Sequence, residues 1–373
     1  MIPVFKPCYG QEELEALREP FESGWVGLGP KTRQFEQRFA QMIGVPYAVG
    51  VNSATAALHL ALHLCDVKDA QVISTSMTFV STNHAILYNG GIPVFADVEP
   101  DTLNIDPDDV RRKITPRTKA IVVVHYGGHS CDMDAILGLA EEHNLMVVED
   151  CAHACGGSYR GRMLGSWGDF GCFSFHAVKN LATGDGGMIT TRDQAADARL
   201  RKLVWLGISR GTWDRTGRQG YSWEYDVEEL GFKCHMNDII AAVGLVQLDK
   251  LERTNARRRE LAQRYTRMLD DVDWLETPVE KEYAHSAWHN YVIKVADPAD
   301  RNPLMEHLKA QGVSTGMHYI PNHLYAMYRP YVTEPLPVTE SVWKRLITLP
   351  LFPDLSDEQQ NHIVAAIESY RRG

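Results

Sequence analysis

From about residue 45 onward, short runs of β-branched and apolar residues alternate with amphipathic stretches at helical spacing. The pattern predicts strands at Tyr47–Val51, Gln71–Thr75, Pro93–Val98, Ala120–His125, Leu145–Asp150, Gly171–Phe175 and Met188–Thr191. Helices are predicted between several of them, at Ala54–Cys65, Thr82–Asn89, Pro107–Ile114 and Met133–His143. A repeated strand–helix–strand rhythm implies a largely parallel sheet covered on both faces. Right-handed crossovers then gather the functional loops along the C-terminal edge of the strands.

Beyond about residue 237 the rhythm changes. Ala241, Leu245, Leu248 and Leu251 step at helical spacing, so Asn237 to Leu269 reads as one long helix or a helix pair, capped by Asn237 or Asp238. Ile239, Ile240, Val243 and Val246 make its first turns apolar almost all round, which predicts that this end is buried. A second α/β segment follows, with a strand at Asn290–Val295, a helix at Asn302–Gln311 and a closing helix at Asp357–Arg371. The expected division is a large domain over 1–237, with an N-terminal segment free to pack elsewhere, and 238–373 as linking helix plus smaller C-terminal domain. Between them, Ser209–Glu228 is rich in Gly, Arg and Trp without periodicity and predicts a long functional loop.

Composition narrows the classes. The chain has 373 residues, 38 basic against 48 acidic, for a formal net charge of −10, with 44% hydrophobic and 23% charged residues. That is a globular composition, and the acidic balance argues against a nucleic-acid partner. The seven cysteines form no CxxC pair, and Cys151 with Cys155 has no second pair at zinc-site spacing. The first residues carry no signal pattern and no apolar run approaches the roughly 20 residues of a membrane span. A cytoplasmic protein with reduced thiols and no metal site is expected. Loops of the GxGxxG and GxxxxGK[ST] types and the HExxH pattern are absent.

The densest chemical signal is Val147 to Gly187, VVEDCAHACGGSYRGRMLGSWGDFGCFSFHAVKNLATGDGG. One apolar strand ends in Glu149-Asp150, and the next delivers His176 and Lys179 into a glycine-rich loop. A desolvated lysine has a lowered pKa and becomes nucleophilic, as covalent attachment of an aldehyde requires. A pyridine cofactor needs an amine, a carboxylate for its ring nitrogen and a cradle for its phosphate. Lys179 and Asp150 offer the first two. The helix start at Asn52–Ala57 offers the third through backbone N–H groups and the positive end of the dipole, with hydroxyls from Ser53, Thr55 and Ser174. Taken singly these residues have blander readings: Lys179 a solvated loop lysine, Asp150 a helix cap, His153 and Phe79 core, His176 structural.

In their order and spacing, the motifs resemble the DegT/DnrJ/EryC1/StrS family of sugar aminotransferases, which use pyridoxal phosphate (PLP) on the type I, aspartate aminotransferase fold. The resemblance rests on SGWVGLGPKTRQFE (Ser23–Glu36), NSATAALHLAL (Asn52–Leu62), SMTFVST (Ser76–Thr82), GGIPVFADVEPDTLNID (Gly90–Asp106) and VVEDCAHACGGSYRG (Val147–Gly161). It continues through GDFGCFSFHAVKNLATGDGG (Gly168–Gly187), GFKCHMNDIIAAVGLVQLDKL (Gly231–Leu251) and HYIPNHL (His318–Leu324). It implies an α/β fold, with a mostly parallel seven-stranded sheet between helices and a smaller C-terminal α/β domain. By position, Lys179 matches the cofactor-bearing lysine, Asp150 the partner of the pyridine nitrogen and His153 the residue near the ring hydroxyl. Phe79 matches the aromatic stacked on the ring, and Ala54, Thr55 and Ser174 the phosphate cradle. The segment with His318, Tyr319 and His323 resembles one bordering the sugar pocket. Lys233 stands where the family commonly has Asn, a residue that reaches the phosphate from the neighbouring subunit; Lys233 could do so or turn outward.

The resemblance further implies a homodimer with interfacial sites, moving an amino group from glutamate or glutamine to a nucleotide-linked keto sugar. Retained Lys179 separates the chain from relatives that carry His there and remove a sugar hydroxyl. GFKCHMNDI and FHAVKN lean toward a 4-keto-6-deoxy sugar. A same-fold dehydratase or lyase, a 3-keto sugar or keto-cyclitol enzyme, and a non-catalytic regulator are the alternatives. Arg210, Trp213, Arg215, Arg218, Tyr221 and Trp223 are candidates for nucleotide or phosphate contact, or for subunit packing.

Overall fold

A computed structural model describes residues 1–209, 216–217, 220–221 and 224–370 of the chain. The expected loop at 209–228, with Arg210, Trp213, Arg215, Arg218, Trp223 and the Tyr221 side chain, lies largely outside the described residues.

The seven expected strands form one sheet: β1 (Tyr47–Val51), β2 (Gln71–Thr75), β3 (Ile92–Ala96), β4 (Thr118–Val124), β5 (Met146–Asp150), β6 (Phe170–Ser174) and β7 (Gly187–Thr191). Their spatial order is β1-β7-β6-β5-β4-β2-β3. Only β7 runs against its neighbours; β3, β2, β4, β5 and β6 are mutually parallel. Successive side chains leave a strand on opposite faces, and both faces are covered. On β4, Ile121 and Val123 join one core with Phe35, Phe39, Phe173 and Phe175. Ala120 and Val122 join the other with Leu58, Leu62, Ile189 and Leu200. That double burial is why these strands read as continuous apolar runs.

The helices of this part are α1 (Gln11–Ala16), α2 (Arg18–Ser23), α3 (Pro30–Ile43), α4 (Ala54–Leu64), α5 (Val80–Tyr88), α6 (Pro107–Lys113), α7 (Met133–His143) and α8 (Gln194–Leu203). The long apolar pattern resolves as a single helix, α9 (Asp238–Met268), capped by Asn237, whose side chain accepts from the Ile240 N–H. Leu245 and Leu251 of α9 belong to the large core, whereas Leu261 and Tyr265 belong to a separate one. One helix therefore serves both parts of the molecule.

The second core is built on a small antiparallel sheet of β8 (Leu275–Glu276), β9 (Tyr291–Val295) and β10 (Leu346–Leu349). It is flanked by α10 (Pro298–Ala310) and α12 (Asp357–Ser369), with the short α11 (Pro337–Val342) ahead of β10. Helix α10 starts four residues before the expected Asn302, because Asp297 caps it and Pro298 occupies its first position. The N-terminal tail joins this part: Ile2 N–H donates to Gly312 O, and Val4 O accepts from Leu351 N–H.

Helix α3 docks on the start of α9 through one buried carboxylate. Asp238 accepts from the N–H groups of Lys31 (3.1 Å) and Thr32 (2.9 Å) and from the Thr32 hydroxyl (2.7 Å). The first-turn donors of α3, which has no side-chain cap of its own, are thus satisfied from the first residue of another helix. Asp238→Ala leaves those donors unpaired in a buried place. We expect it to cost about 2–3 kcal/mol, read as a lower urea midpoint, while a surface change such as Glu306→Ala leaves the midpoint in place.

Candidate active site

The parallel strands end together, and their C-terminal edge carries the chemistry. Asp150 is the last residue of β5, paired in register with Val124 and Cys172. Its carboxylate is buried; Oδ2 accepts from Thr82 Oγ1 (2.7 Å) and Oδ1 from the Ala152 N–H (3.1 Å). A carboxylate only accepts, so Thr82 must donate to it and receive in turn from Thr78 Oγ1 at 2.8 Å. Burial raises the Asp150 pKa, and the Thr82 bond, the Ala152 bond and Lys179 pull it back. No cation among the described residues forms an ion pair with it.

The adjacent Glu149 leaves β5 on the opposite face and does different work. It accepts from the N–H groups of Gly165, Trp167 and Gly168, each at 2.8 Å, and from His125 Nε2 at 3.0 Å. His125, Glu149 and Cys151 lie close enough to suggest a metal trio. The carboxylate is already satisfied by four donors, and it pins the loop between β5 and β6.

Lys179 follows β6 in a turn closed by its own N–H donating to His176 O. Its side chain and Asp150 line the same cavity of about 340 Å³. Burial lowers the Lys179 pKa from 10.5 to about 8, against the opposing pull of Asp150. A larger fraction of neutral amine is therefore present near neutrality than in a solvated lysine.

At the cavity's far side, β1 turns into α4. Ser53 Oγ accepts from the Ala56 N–H at 3.1 Å, and Ser53, Ala54 and Thr55 line the cavity. The first amides of a helix have no intrahelical partner, so this end presents donors and a positive dipole. The cradle depends on a close approach: a Cβ on Gly187 would sit 2.6 Å from the Ser53 carbonyl carbon. Ser174, at the end of β6, is on the same wall. Together these features fit a phosphorylated pyridine aldehyde. A dry carboxylate lacking a cation suits a protonated ring nitrogen, a desolvated amine suits an aldehyde, and a helix start with hydroxyls suits a phosphate.

The remaining walls are aromatic. Phe79 is 59% exposed, which rules out the core reading, and lies 6.3 Å from the Tyr319 ring. His153 is buried; Nδ1 accepts from the Gly127 N–H (3.3 Å), and Nε2 lies 2.9 Å from the Tyr319 hydroxyl. The N–H bond fixes the tautomer, leaving the ring proton on Nε2. Burial first, then Lys179 and His318, hold the His153 pKa well below 6.5. His318 also lines the cavity, its pKa lowered to about 4 by burial and then Lys179.

The structure thus brings together Ser53, Ala54, Thr55, Phe79, Asp150, His153, Ser174, Lys179, His318 and Tyr319. Two expected residues stand apart. His323 is buried beside the cavity, its Nδ1 bonded to Ser76 Oγ at 2.9 Å and its Nε2 3.6 Å from Glu340. Lys233 is exposed and outside its own chain's cavity, its ammonium 3.3 Å from the Trp205 ring centroid. Conversely, sequence reasoning missed Phe5, Thr82 as a bonding partner of Asp150, and His289. Thr82 lies within the SMTFVST motif, the one available hint. Phe5 and His289 are far from every motif used.

The model of the DegT/DnrJ/EryC1/StrS aminotransferase family matches residues 7–368. The chain belongs to that family. It is similar to the spore coat polysaccharide biosynthesis protein SpsC of Bacillus subtilis (strain 168), 42% identical over 380 residues, covering all of this chain and 97% of the relative. Among solved structures it resembles the aminotransferase TlmJ from Streptoalloteichus hindustanus, 38% identical with a TM-score of 0.92, over 100% and 99% of the two chains. It also resembles a putative sugar aminotransferase, Spr1654 from Streptococcus pneumoniae, in its PMP form, 30% identical with a TM-score of 0.94, over 100% and 99%. The chain is accordingly a PLP-dependent sugar aminotransferase of mixed α/β, type I fold. None of the described helices is long and apolar enough to cross a membrane.

The lowered Lys179 pKa has a sign that kinetics can read. Only the neutral amine attacks an aldehyde, so covalent capture of free pyridoxal phosphate by the apoprotein should accelerate as pH rises through about 8. A rise centred near the ordinary lysine value of 10.5 would show that the amine is solvated.

Proposed function

We propose that the enzyme moves an amino group from glutamate, or glutamine, to a nucleotide-linked 4-keto-6-deoxy sugar, acting in the cytoplasm as a homodimer whose sites lie at the subunit interface. The observation that carries the reading is the facing of Lys179 and Asp150 across one cavity that also holds the start of α4. Bound pyridoxal phosphate supplies an electron sink and an aldehyde carbon that exchanges amino groups. Lys179 would anchor it and, freed by the donor amine, would carry a proton from the donor's α-carbon to the former aldehyde carbon, the transfer running in reverse when the keto sugar is the acceptor. Asp150 keeps the ring nitrogen protonated, and Thr78 and Thr82 hold that carboxylate in place. Phe79 offers an apolar face, and His153 a neutral donor at Nε2. In this reading Lys179 and Asp150 are catalytic, Ser53, Ala54, Thr55, Phe79, His153 and Ser174 contact the cofactor, and His318 and Tyr319 face the substrate.

The sugar class is supported by relatives named for spore coat polysaccharide biosynthesis and sugar aminotransfer, and the C4 position by the FHAVKN and GFKCHMNDI motifs. The dimer is supported by charge. Apart from Lys179, no lysine or arginine among the described residues lines the cavity. A phosphate dianion calls for a cation, and Lys233, exposed and outside its own cavity, is available to a second copy.

Two experiments test this. Lys179→Ala should lose the yellow bound cofactor and reduce amino transfer by at least about 10²–10⁴-fold, measured with glutamate against a panel of 4-keto and 3-keto nucleotide sugars. Retained wild-type transfer sinks the mechanism, and preference for a 3-keto sugar sinks the substrate assignment. Mixed Lys179→Ala and Lys233→Ala subunits should regain activity that neither homodimer shows, because one site per hybrid is intact. No recovery, with Lys233→Ala inactive alone, rejects the shared site.

A further inference from the structure

One polar atom at the cavity is left without a use. His289 is 2% exposed and lines the cavity. Its Nδ1 lies 3.1 Å from Asn180 Oδ1. The Asn180 amide cannot be turned around, because its Nδ2 donates to Ala287 O (2.7 Å) and to Asn255 Oδ1 (2.8 Å), and a backbone carbonyl only accepts. Oδ1 therefore faces His289, and Nδ1 must carry the proton. In a neutral ring the other nitrogen, Nε2, then holds a lone pair, and it has no hydrogen-bond partner among the described residues. The ring is neutral because it is buried and because the nearby Lys179 charge opposes its protonation.

The ring cannot swing away to find a partner. Phe5 stacks on it at 5.2 Å and 3°, and His153 at 4.5 Å and 30°. Phe5 is held by its own neighbours in the chain: Val4 O accepts from Leu351 N–H, and Lys6 pairs with Asp354 at 3.0 Å. The N-terminal tail thus acts as a clamp on His289.

We propose that His289 Nε2 accepts a hydrogen bond from a hydroxyl of the amino-accepting sugar, making His289 a specificity residue and Phe5 the residue that positions it. This inference rests on the keto-sugar reading above. Glutamate as amino donor fits the atom poorly: its carboxylates bring only acceptors, and its amine must go to the reacting carbon. A sugar brings neutral O–H donors. A site built around a buried acceptor discriminates against an analogue that lacks the matching donor, since the acceptor is then left unpaired in the complex.

The test compares UDP- and dTDP-linked 4-keto-6-deoxyglucose with their 2-deoxy and 3-deoxy analogues, using holoenzyme and glutamate. Wild type should lose roughly ten- to hundredfold in kcat/KM with one of the two deoxy analogues. His289→Phe, which keeps a stacking ring without the lone pair, should bring that ratio toward one. His289→Gln, which returns an acceptor oxygen, should restore part of it. The loss in His289→Phe should fall far harder on the sugar half-reaction than on conversion of the bound cofactor by glutamate. Calorimetric binding of the same sugars to the apoprotein should show the same hydroxyl preference and the same collapse. A hydroxyl preference that survives in His289→Phe, or half-reactions that fall together, overturns the assignment. A wild type that accepts glutamate's amino group yet aminates none of the sugars overturns the keto-sugar reading instead.

Discussion

A carboxylate kept dry at the end of a central strand is the constraint around which this molecule is arranged. Asp150 sits where β5 stops, braced by Thr82 and the Ala152 amide and with no cation paired to it. Burial without such a partner is costly, and the raised pKa expresses that cost. The neighbouring Glu149 shows the alternative, a buried carboxylate settled by four donors and depressed in pKa by them against its own desolvation. Two adjacent acids on opposite faces of one strand therefore have opposite fates. One locks a loop, and the other is held in reserve for a positive charge that arrives with the cofactor.

The sheet order turns that local tension into a site. Because β4, β5 and β6 are parallel, their ends bring Val124, Asp150 and Ser174 to one edge. The antiparallel β7 runs back along β6 and β1, so that Gly187 meets the backbone of Ser53 and holds the start of α4 against the same edge. The Lys179 loop is the connection between β6 and β7, which places its amine over the cavity that these ends surround. The C-terminal part of the chain closes the remaining side through His289, His318 and Tyr319.

Much of this was legible in the sequence, for identifiable reasons. The strands of the large sheet are buried on both faces, and short runs rich in β-branched and apolar residues, bounded by turn residues, mark them by length and composition. Asp150 and Lys179 directly follow such runs, so their place at the edge could be read from order alone. Helix caps were legible too, as with Asn237 before α9. What escaped depends on contacts distant in sequence. Asp238 docks α3 from 206 residues away, and Phe5 reaches His289 across about three quarters of the chain. His323 was expected at the pocket because its segment resembles one bordering the sugar pocket, but the 3-10 turn at Asn322–Leu324 directs it to Ser76 and Glu340. Residue spacing carries periodicity; it carries no information on where an irregular turn aims a side chain. Lys233 illustrates a different limit, since a residue that serves another copy has no partner in its own chain for any pattern to reveal.

The abundance of histidine at the cavity has a single electrostatic logic. His153, His289 and His318 all lie beside Lys179, and each is held neutral by burial and by that lysine's charge. Were any of them cationic, it would lower the Lys179 pKa further and compete with the cofactor ring for Asp150. Neutral imidazoles avoid both effects while keeping directional bonds, and the backbone decides which direction each one offers. The Gly127 N–H makes His153 a donor toward Tyr319. The Ala287 carbonyl, acting through Asn180, makes the stacked His289 an acceptor. Two identical side chains in van der Waals contact thus present opposite polarities, a distinction that composition cannot encode and that only the main chain around them can impose.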